Sequence, residues 1–480
     1  MQVQSMQFVA RSGQKLADVR LQQNLKKLAT KFVTARANAI TELEDFEGTR
    51  DAAVGIRNRT LEALDVWLEK FEAAATARGT VVLFAETPDE AAQWVAKIAL
   101  HHGVKTAIKS KSMVSEEMAL NKVLEANGVQ IRETDLGEYI LQINDNEPPS
   151  HIIAPVVHKD KEEIADLFER VHQQSRNSDI PQMTREAREV LRPQFLAADM
   201  GITGGNFAIA ETGSIAIVTN EGNEGMCTIV PKIHVAVTGV EKVVPTLEDL
   251  ATLMRLLPRS ATGQSISNYV SLLTGVRAEG ELDGPQHNYV IFVDGGRTNL
   301  LGGEFQEMMR CIKCGACMNH CPVYQKIGGH AYGWVYPGPM GSVLTPSYAG
   351  IEKALDLPQA ATLCGECHVV CPVKIPLPEL LRKLREQQFD AKLRPWQEVF
   401  FLNAWGFFAK RPVLYRLAVT VAARVLKWMG VQGSNDKLRP QIHGLPLAAG
   451  WSGYRTMPAP QGNTFKDLYR KQQQERRTGP

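Results

Sequence analysis

No run of apolar residues in this chain approaches the roughly 18 that a bilayer-spanning helix requires. Of its 480 residues, 44% are hydrophobic and 22% charged. These are the proportions of a folded globular protein, which excludes wholesale disorder and a multi-pass membrane protein. Residues 1–14 lack an apolar core behind a basic start, so no export signal is expected and the chain is expected in the cytoplasm. No G-x-G-x-x-G turn follows a strand-like run, which leaves no recognisable nicotinamide or flavin fingerprint. Repeats of solenoid length and low-complexity tracts are also missing. The length suggests about three domains.

What is present begins with helix. Leu64, Trp67, Leu68 and Phe71 recur at helical spacing in an Ala- and Leu-rich N-terminal region, expected to pack on the domain that follows. An α/β alternation starts at Thr80–Ala85 (TVVLFA). Thr87-Pro88-Asp89-Glu90 then opens a helix with a capping box, its inner face read as Ala91, Trp94, Val95 and Ile98. A strand over Val104–Lys109 leads to a helix from about Ser112 to near Gly128. Strands are expected at Val129–Arg132, Glu138–Ile143, Asn206–Ala210, Ser214–Thr219, Lys232–Val237 and Tyr289–Val293, with helix over Lys159–Leu191 and from Thr246. The alternation predicts a sheet covered by helices.

The cysteines carry the strongest signal. Seven of the eight lie between Cys311 and Cys371, and Cys227 stands apart. Two tight clusters in a long chain point to metal in a reducing compartment, not to disulfides. Cys311-x2-Cys314-x2-Cys317-x3-Cys321-Pro322 has the bacterial-ferredoxin spacing for a 4Fe–4S cluster. The second element reads Cys364-x2-Cys367-x3-Cys371-Pro372. By the crossover rule for two-cluster ferredoxins, Cys311, Cys314, Cys317 and Cys371 hold one cluster and Cys321, Cys364 and Cys367 the other. Zinc ribbons also use paired C-x-x-C elements, but two longer runs each ending in Cys-Pro fit tetrahedral sites poorly.

The second element is incomplete: Ala361 stands where another cysteine would complete it. That cluster is either a 3Fe–4S centre or a cubane with a fourth ligand from Cys227, His368 or a non-protein group. An open iron could also chelate the hydroxyl and carboxylate of a 2-hydroxy acid. Two clusters in series imply one-electron relay between a two-electron donor and a distant acceptor. The other histidines (His101, His102, His151, His158, His234, His287) are scattered and read as structural or solvated.

The net charge of +2 is unevenly spread. Residues 377–480 carry 18 Lys and Arg against 7 Asp and Glu, so a basic tail follows an acidic body. Such a tail suits an acidic partner or the anionic inner face of a membrane; no recognised nucleic-acid motif accompanies it. Val399–Ala409 (VFFLNAWGFFA) and the apolar run broken by Arg416, Arg424 and Lys427 are read as a helical hairpin over the cysteine-bearing domain. Membrane-surface or partner binding is the other reading. From Gly433, with Pro440, Pro446, Pro458 and Pro460, the chain is expected to be extended.

Two segments of the α/β region look chemical. Lys109-Ser110-Lys111-Ser112 leads from a strand into a helix N-terminus, and Gly201–Gly213 (GITGGNFAIAETG) combines tight turns. The runs KSKSMVSEE (109–117), ETDLGEYILQ (133–142), PSHIIAPVVHK (149–159) and GITGGNFAIAETGSI (201–215) resemble the LUD domain of lactate utilisation proteins. Followed by CIKCGACMNHCP, CGECHVVCP and a basic tail, the whole is similar to the lactate utilisation protein B family.

The resemblance implies an α/β LUD domain, similar to the sugar-phosphate isomerase and CoA-transferase group, followed by an α-helical ferredoxin-like domain. The boundaries expected are a helical region over 1–75, the LUD domain over 76–300, the two-cluster domain over 301–390 and the basic region over 391–480. It further implies an NAD-independent route from L-lactate to pyruvate, run by proteins A, B and C of the family. Glu211 resembles the glutamate of the E-x-G element of CoA transferases and is expected in a pocket, where Lys109, Lys111 and the Gly204-Gly205 amides would hold a carboxylate. Hydroxy-acid oxidation removes two electrons and two protons, which a cluster taking one electron at a time does not complete alone. The chain therefore reads as the relay subunit of an oxidoreductase complex; the alternative is a redox- or iron-responsive regulatory or assembly protein whose LUD domain binds a metabolite.

Overall fold

The structure is a computed structural model, described for residues 3–432, 439–445 and 455–478. Its strands are β1 (Thr80–Ala85), β2 (Thr106–Lys109), β3 (Gln130–Glu133), β4 (Met200–Gly204), β5 (Phe207–Ile209), β6 (Ser214–Thr219), β7 (Ile233–Gly239), β8 (Val243–Val244), β9 (Tyr269–Leu273) and β10 (His287–Val293). Six of them form an all-parallel sheet in the order β1-β10-β7-β4-β2-β3. A second sheet, β8-β5-β6-β9, pairs β5 with β6 and β6 with β9 antiparallel. Central β7 is buried along its whole length, as a strand covered on both faces must be.

One face of the large sheet is covered by the helix Pro88–His101, whose Ala91, Val95 and Ile98 pack with Ile202, Val235 and Ile291. Thr87 caps it by accepting the Glu90 N–H at 3.1 Å, while the Glu90 carboxylate accepts from Glu86. On the other face, the helix Leu64–Thr76 sets Phe71 edge-on to Phe292, ring centroids 5.1 Å apart.

Three local expectations are corrected. Glu138–Ile143 is not a strand: residues 136–143 form the helix Leu136–Ile143. The apolar run Tyr139-Ile140-Leu141 suits a buried helix as well as a strand, and the Asp135 carboxylate decides by accepting the Gly137 N–H at 2.9 Å. The helix begun at Ser112 breaks at Ala119, which takes φ +50° between Met113–Glu117 and Leu120–Ala126. Gly201–Gly204, read as part of a glycine turn, belongs to the sheet strand Met200–Gly204, and the half-exposed β9 went unrecognised.

The cysteine-bearing segment is built from short helices, including Ala316–Asn319, Gly338–Ala349, Glu366–Val369 and Leu377–Asp390. It has no core of its own. Its Met308, Tyr332, Leu344 and Leu381 share one apolar cluster with Leu21 and Ile56 of the N-terminal helices and with Leu250 and Leu253 of the helix Leu247–Ala261. The N-terminal helices thus pack on the cysteine segment as well as on the sheet. The backbone approach is close: a Cβ on Gly329 would fall 1.8 Å from the Ser150 carbonyl oxygen.

The chain divides into two compact units, Met1–Leu393 and Arg394–Pro480. In the second, Trp396–Ala409 and Pro412–Trp428 form a helix pair with no buried residue. Gln441–Ile442 pairs with Met457–Pro458, and Phe465–Thr478 is a helix, so the extended reading of the last stretch is corrected there. Pro446 and residues 433–438 lie outside the described residues. No helix among the described residues is long and apolar enough to cross a membrane.

Candidate functional site

The two cysteine motifs adopt the same backbone conformation. Lys313 and Leu363, each just before a cysteine, lie at φ +57° and +54°, and Gly315 and Gly365, each just after, at +77° and +91°. A one-turn helix follows each, Ala316–Asn319 and Glu366–Val369. Ala361 therefore occupies in the second motif the place of Cys311 in the first: the backbone is kept and only the thiol is missing. A left-handed conformation costs a lysine or leucine about 1–2 kcal/mol, so the surrounding structure imposes these turns.

Cys311, Cys314, Cys317 and Cys371 line one cavity, closed by apolar side chains that include Ile312, Met340 and Leu377. Burial, reinforced by the neighbouring sulfurs, pushes the Cys314 thiol up to about 12 and the Cys371 thiol up to about 11. Thiols converging in an apolar hollow, with no cationic side chain lining it, suit a metal that takes their protons. Cys321, Cys364 and Cys367 form the second group: burial raises Cys321, and Cys364 adds to it, while Cys367 is raised to about 12 by burial and then by Cys321 and Cys364. Cys364 is exposed. The residues present fit an iron–sulfur group at both places.

Two arginines from the N-terminal helices hold the end of the second motif. Arg36 Nη2 donates to the Val370 carbonyl at 2.8 Å. Arg50 donates to Val369 at 3.0 Å and twice to Cys371, at 3.1 and 2.6 Å. Arg57, fully buried, spans Val243 at 2.9 Å and Met309 at 3.0 Å, tying the second sheet to the residues before Cys311. Behind them Arg297 bridges Glu117 (2.6 Å) and Glu241 (2.8 Å), all three buried, and Tyr336 donates to Glu117.

A second cavity, of about 220 Å³, opens between the α/β body and the first motif. The Gly204-Gly205 turn and Lys111 line it, as expected from the sequence; Glu224, Lys242, Lys313 and Tyr336 join them from distant parts of the chain. Lys111 donates to the Ile153 carbonyl at 2.8 Å and lies 3.9 Å from Glu138. Burial pushes the Glu224 carboxyl up to about 7 against a 3.2 Å hydrogen bond from Ser110. It pushes the Lys242 ammonium down to about 8 against the pull of Glu241.

Other expected residues lie elsewhere. Lys109 is sealed in the core, paired with Glu133 at 2.9 Å and Glu116 at 3.1 Å; burial opposes its charge, but the two carboxylates outweigh it. Glu211 is exposed and accepts the Leu247 N–H at 3.0 Å, so it caps a helix and does not face the cavity. Cys227 packs with Ile108, Tyr139 and Phe195 in a separate apolar cluster, and its sulfur lies 3.4 Å from Thr134 Oγ1. It is not a neighbour of the second thiol group. His368 is exposed and its Nδ1 donates to the Ile375 carbonyl at 2.9 Å. His151 is structural: Nδ1 accepts from Ile153 and Ala154, and Nε2 donates to Asn319 at 3.0 Å. Lys242 escaped the sequence reading because it sits in no motif, and Lys313 because it reads as spacer; its place between two ligand-type cysteines was the one available signal.

Comparison with known proteins agrees with this geometry. Residues 68–293 match the LUD domain, 307–375 the 4Fe-4S dicluster domain, and 379–474 the C-terminal region of lactate utilisation protein B. Lactate utilization protein B of Shouchella clausii is 43% identical over 98% of this chain and 97% of its own length. The chain belongs to the lactate utilization protein B family. The Geobacillus kaustophilus member of that family is 45% identical over 91% of each chain. A solved chain described as a DUF162 family protein from Deinococcus radiodurans covers 48% of this chain and 98% of its own, at 16% identity and a TM-score of 0.27. Membership in the lactate utilization protein B family makes this an iron–sulfur protein of lactate utilisation with a LUD domain.

Proposed function

We propose that the chain is the electron-transfer subunit of an NAD-independent complex that oxidises L-lactate to pyruvate. The observation that carries this reading is the cavity lined by Cys311, Cys314, Cys317 and Cys371, three thiols from one motif and one from the other. Those four would hold a first 4Fe–4S cluster, and Cys321, Cys364 and Cys367 a second one with a non-cysteine fourth ligand or a 3Fe–4S core. Such clusters supply one-electron transfer when bound. The protein's part is to keep the first group dry and in place: Ile312, Met340 and Leu377 keep water from its thiols, and Arg36 and Arg50 fix the backbone of Cys371 and its neighbours. Removal of the two electrons and two protons from lactate then belongs to the assembled complex, with the family's A and C proteins as partners. The exposed helices of the basic second unit supply surface for docking a partner or the acceptor.

The test is electron paramagnetic resonance of anaerobically purified protein, before and after L-lactate, with and without the two partners. Cluster signals that appear only with lactate plus partners are expected. Clusters that stay oxidised in every combination overturn the reading.

A further inference from the structure

The cavity beside the first thiol group contains two ammonium groups that no hydrogen bond or ion pair among the described residues engages. Lys242, only 7% exposed, lines it and makes no ion pair or hydrogen bond among the described residues. Lys313 lines it too; its Nζ is buried with no hydrogen-bond partner and lies 4.1 Å above the ring of Tyr336. A buried ammonium without a partner is costly, and fold alone would favour an apolar side chain at either position. Of the other charges on the wall, Lys111 is engaged with Ile153 and Glu138, and Glu224 with Ser110; Glu241 pairs through one oxygen with Arg297, while its Oε1 is buried without a hydrogen-bond partner and its charge attracts both lysines. Two ammonium groups against that one half-engaged carboxylate leave an excess of positive charge facing a space of about 220 Å³. That is below the roughly 300–1,000 Å³ of pockets for drug-sized ligands, so the occupant is small.

We propose that this cavity binds a small carboxylate, a 2-hydroxy or 2-oxo acid, with Lys242 and Lys313 as its anchors. The class rests on the lactate reading above; the anionic character rests on the two lysines alone. Lys313 stands between Cys311 and Cys314, held at φ +57°, so the anchor belongs to the loop that carries two thiols of the first group. An anion there opposes the addition of an electron to a cluster on those thiols. By linkage, reduction must then weaken binding of the anion by the same factor. A tenfold weakening corresponds to a midpoint lower by about 59 mV for a one-electron couple.

The experiment titrates cluster-loaded, anaerobic protein with L-lactate and with pyruvate by calorimetry, with phosphate and acetate as comparison anions. One carboxylate bound per chain is expected, weakened about ten- to a hundredfold in Lys242→Gln and in Lys313→Gln, as loss of a charge-assisted bond implies, and restored by Lys313→Arg. Lys242 lies outside both cysteine motifs but within electrostatic reach of Cys311, so iron analysis of its variant is what separates ligand binding from cluster loading. The midpoint of the first cluster should fall when pyruvate is added to wild type and stay fixed in Lys242→Gln. A midpoint that shifts in the variant but ignores pyruvate means the lysines only balance cluster charge, and overturns the proposal. So does unaltered binding in both variants, or phosphate binding as tightly as pyruvate. Clusters reduced by lactate and partners, with no carboxylate bound here, would remove this site and leave the electron-transfer reading standing. Carboxylate bound through the lysines, with clusters never reduced, would do the reverse.

Discussion

Arg50 and Cys371 lie more than three hundred residues apart in sequence, yet two nitrogens of the Arg50 guanidinium donate to the one carbonyl oxygen of Cys371, at 3.1 and 2.6 Å. The helix Phe46–Glu62 thereby acts as a splint for the one cysteine that the second motif lends to the first thiol group. Removing the guanidinium leaves the carbonyls of Val369 and Cys371 without this donor. We expect Arg50→Met to lose roughly 1.5–3 kcal/mol of stability and to purify with less iron than wild type. Iron and sulfide analysis beside a thermal melt checks it; unchanged iron would show that the splint does not serve the cluster.

The crossover of thiols makes a sharper statement. Cys371→Ser should abolish the signal of the first cluster and spare the second, although Cys371 sits in the second motif. Cys321→Ser should do the opposite. Cys227→Ser should leave both signals intact, since Cys227 packs behind the sheet with Ile108 and Phe195. Paramagnetic resonance of the three reduced variants distinguishes these outcomes, and loss of the second signal in Cys371→Ser would reverse the assignment.

Arg297 is fully buried between Glu117 and Glu241. Taking away the cation leaves two buried carboxylates facing each other, a change that costs about 3–5 kcal/mol. Arg297→Met should unfold at markedly lower denaturant, and because Tyr336 donates to Glu117, the loss should reach the cysteine segment as well. A variant within about 0.5 kcal/mol of wild type, the range of ordinary surface substitutions, would show that the network is dispensable.

Glu224 gives a pH dependence. Burial lifts its carboxyl from the ordinary 4.5 to about 7, so the folded protein keeps a proton that the unfolded chain gives up. The stability this contributes is fully present below pH 4.5 and is lost as pH rises to about 7. Glu224→Gln, which mimics the protonated form, does not titrate. The melting temperature of wild type relative to Glu224→Gln should therefore fall between these pH values and level off above them. A pH-independent difference would refute it.

The element types near Thr80, Thr87, Ser214 and Thr246 were legible because local rules act within a few residues: a cap, a proline at the first turn, a run of β-branched side chains. Glu138–Ile143 was not, because three adjacent apolar residues satisfy strand and buried helix alike until Asp135 caps the turn. The functional residues divided in the same way. Lys111 and the Gly204-Gly205 turn were found through their motifs. Lys109 and Glu211 had the right chemistry in a suggestive run, but Glu133 and Glu116 neutralise the first and the Leu247 N–H engages the second.

By itself, the sequence determined the cluster chemistry. A C-x2-C-x2-C spacing places thiolates within reach of one metal group whatever surrounds it, because the intervening chain is too short to do otherwise. Only the tertiary structure decided that Cys227 is excluded from the second thiol group, that arginines from the N-terminal helices hold Cys371 and its neighbours, and that Lys242 and Lys313 face one cavity with no hydrogen bond or ion pair among the described residues. Those outcomes depend on which surfaces bury one another across hundreds of residues, and burial is what makes a lone ammonium or a missing thiol consequential.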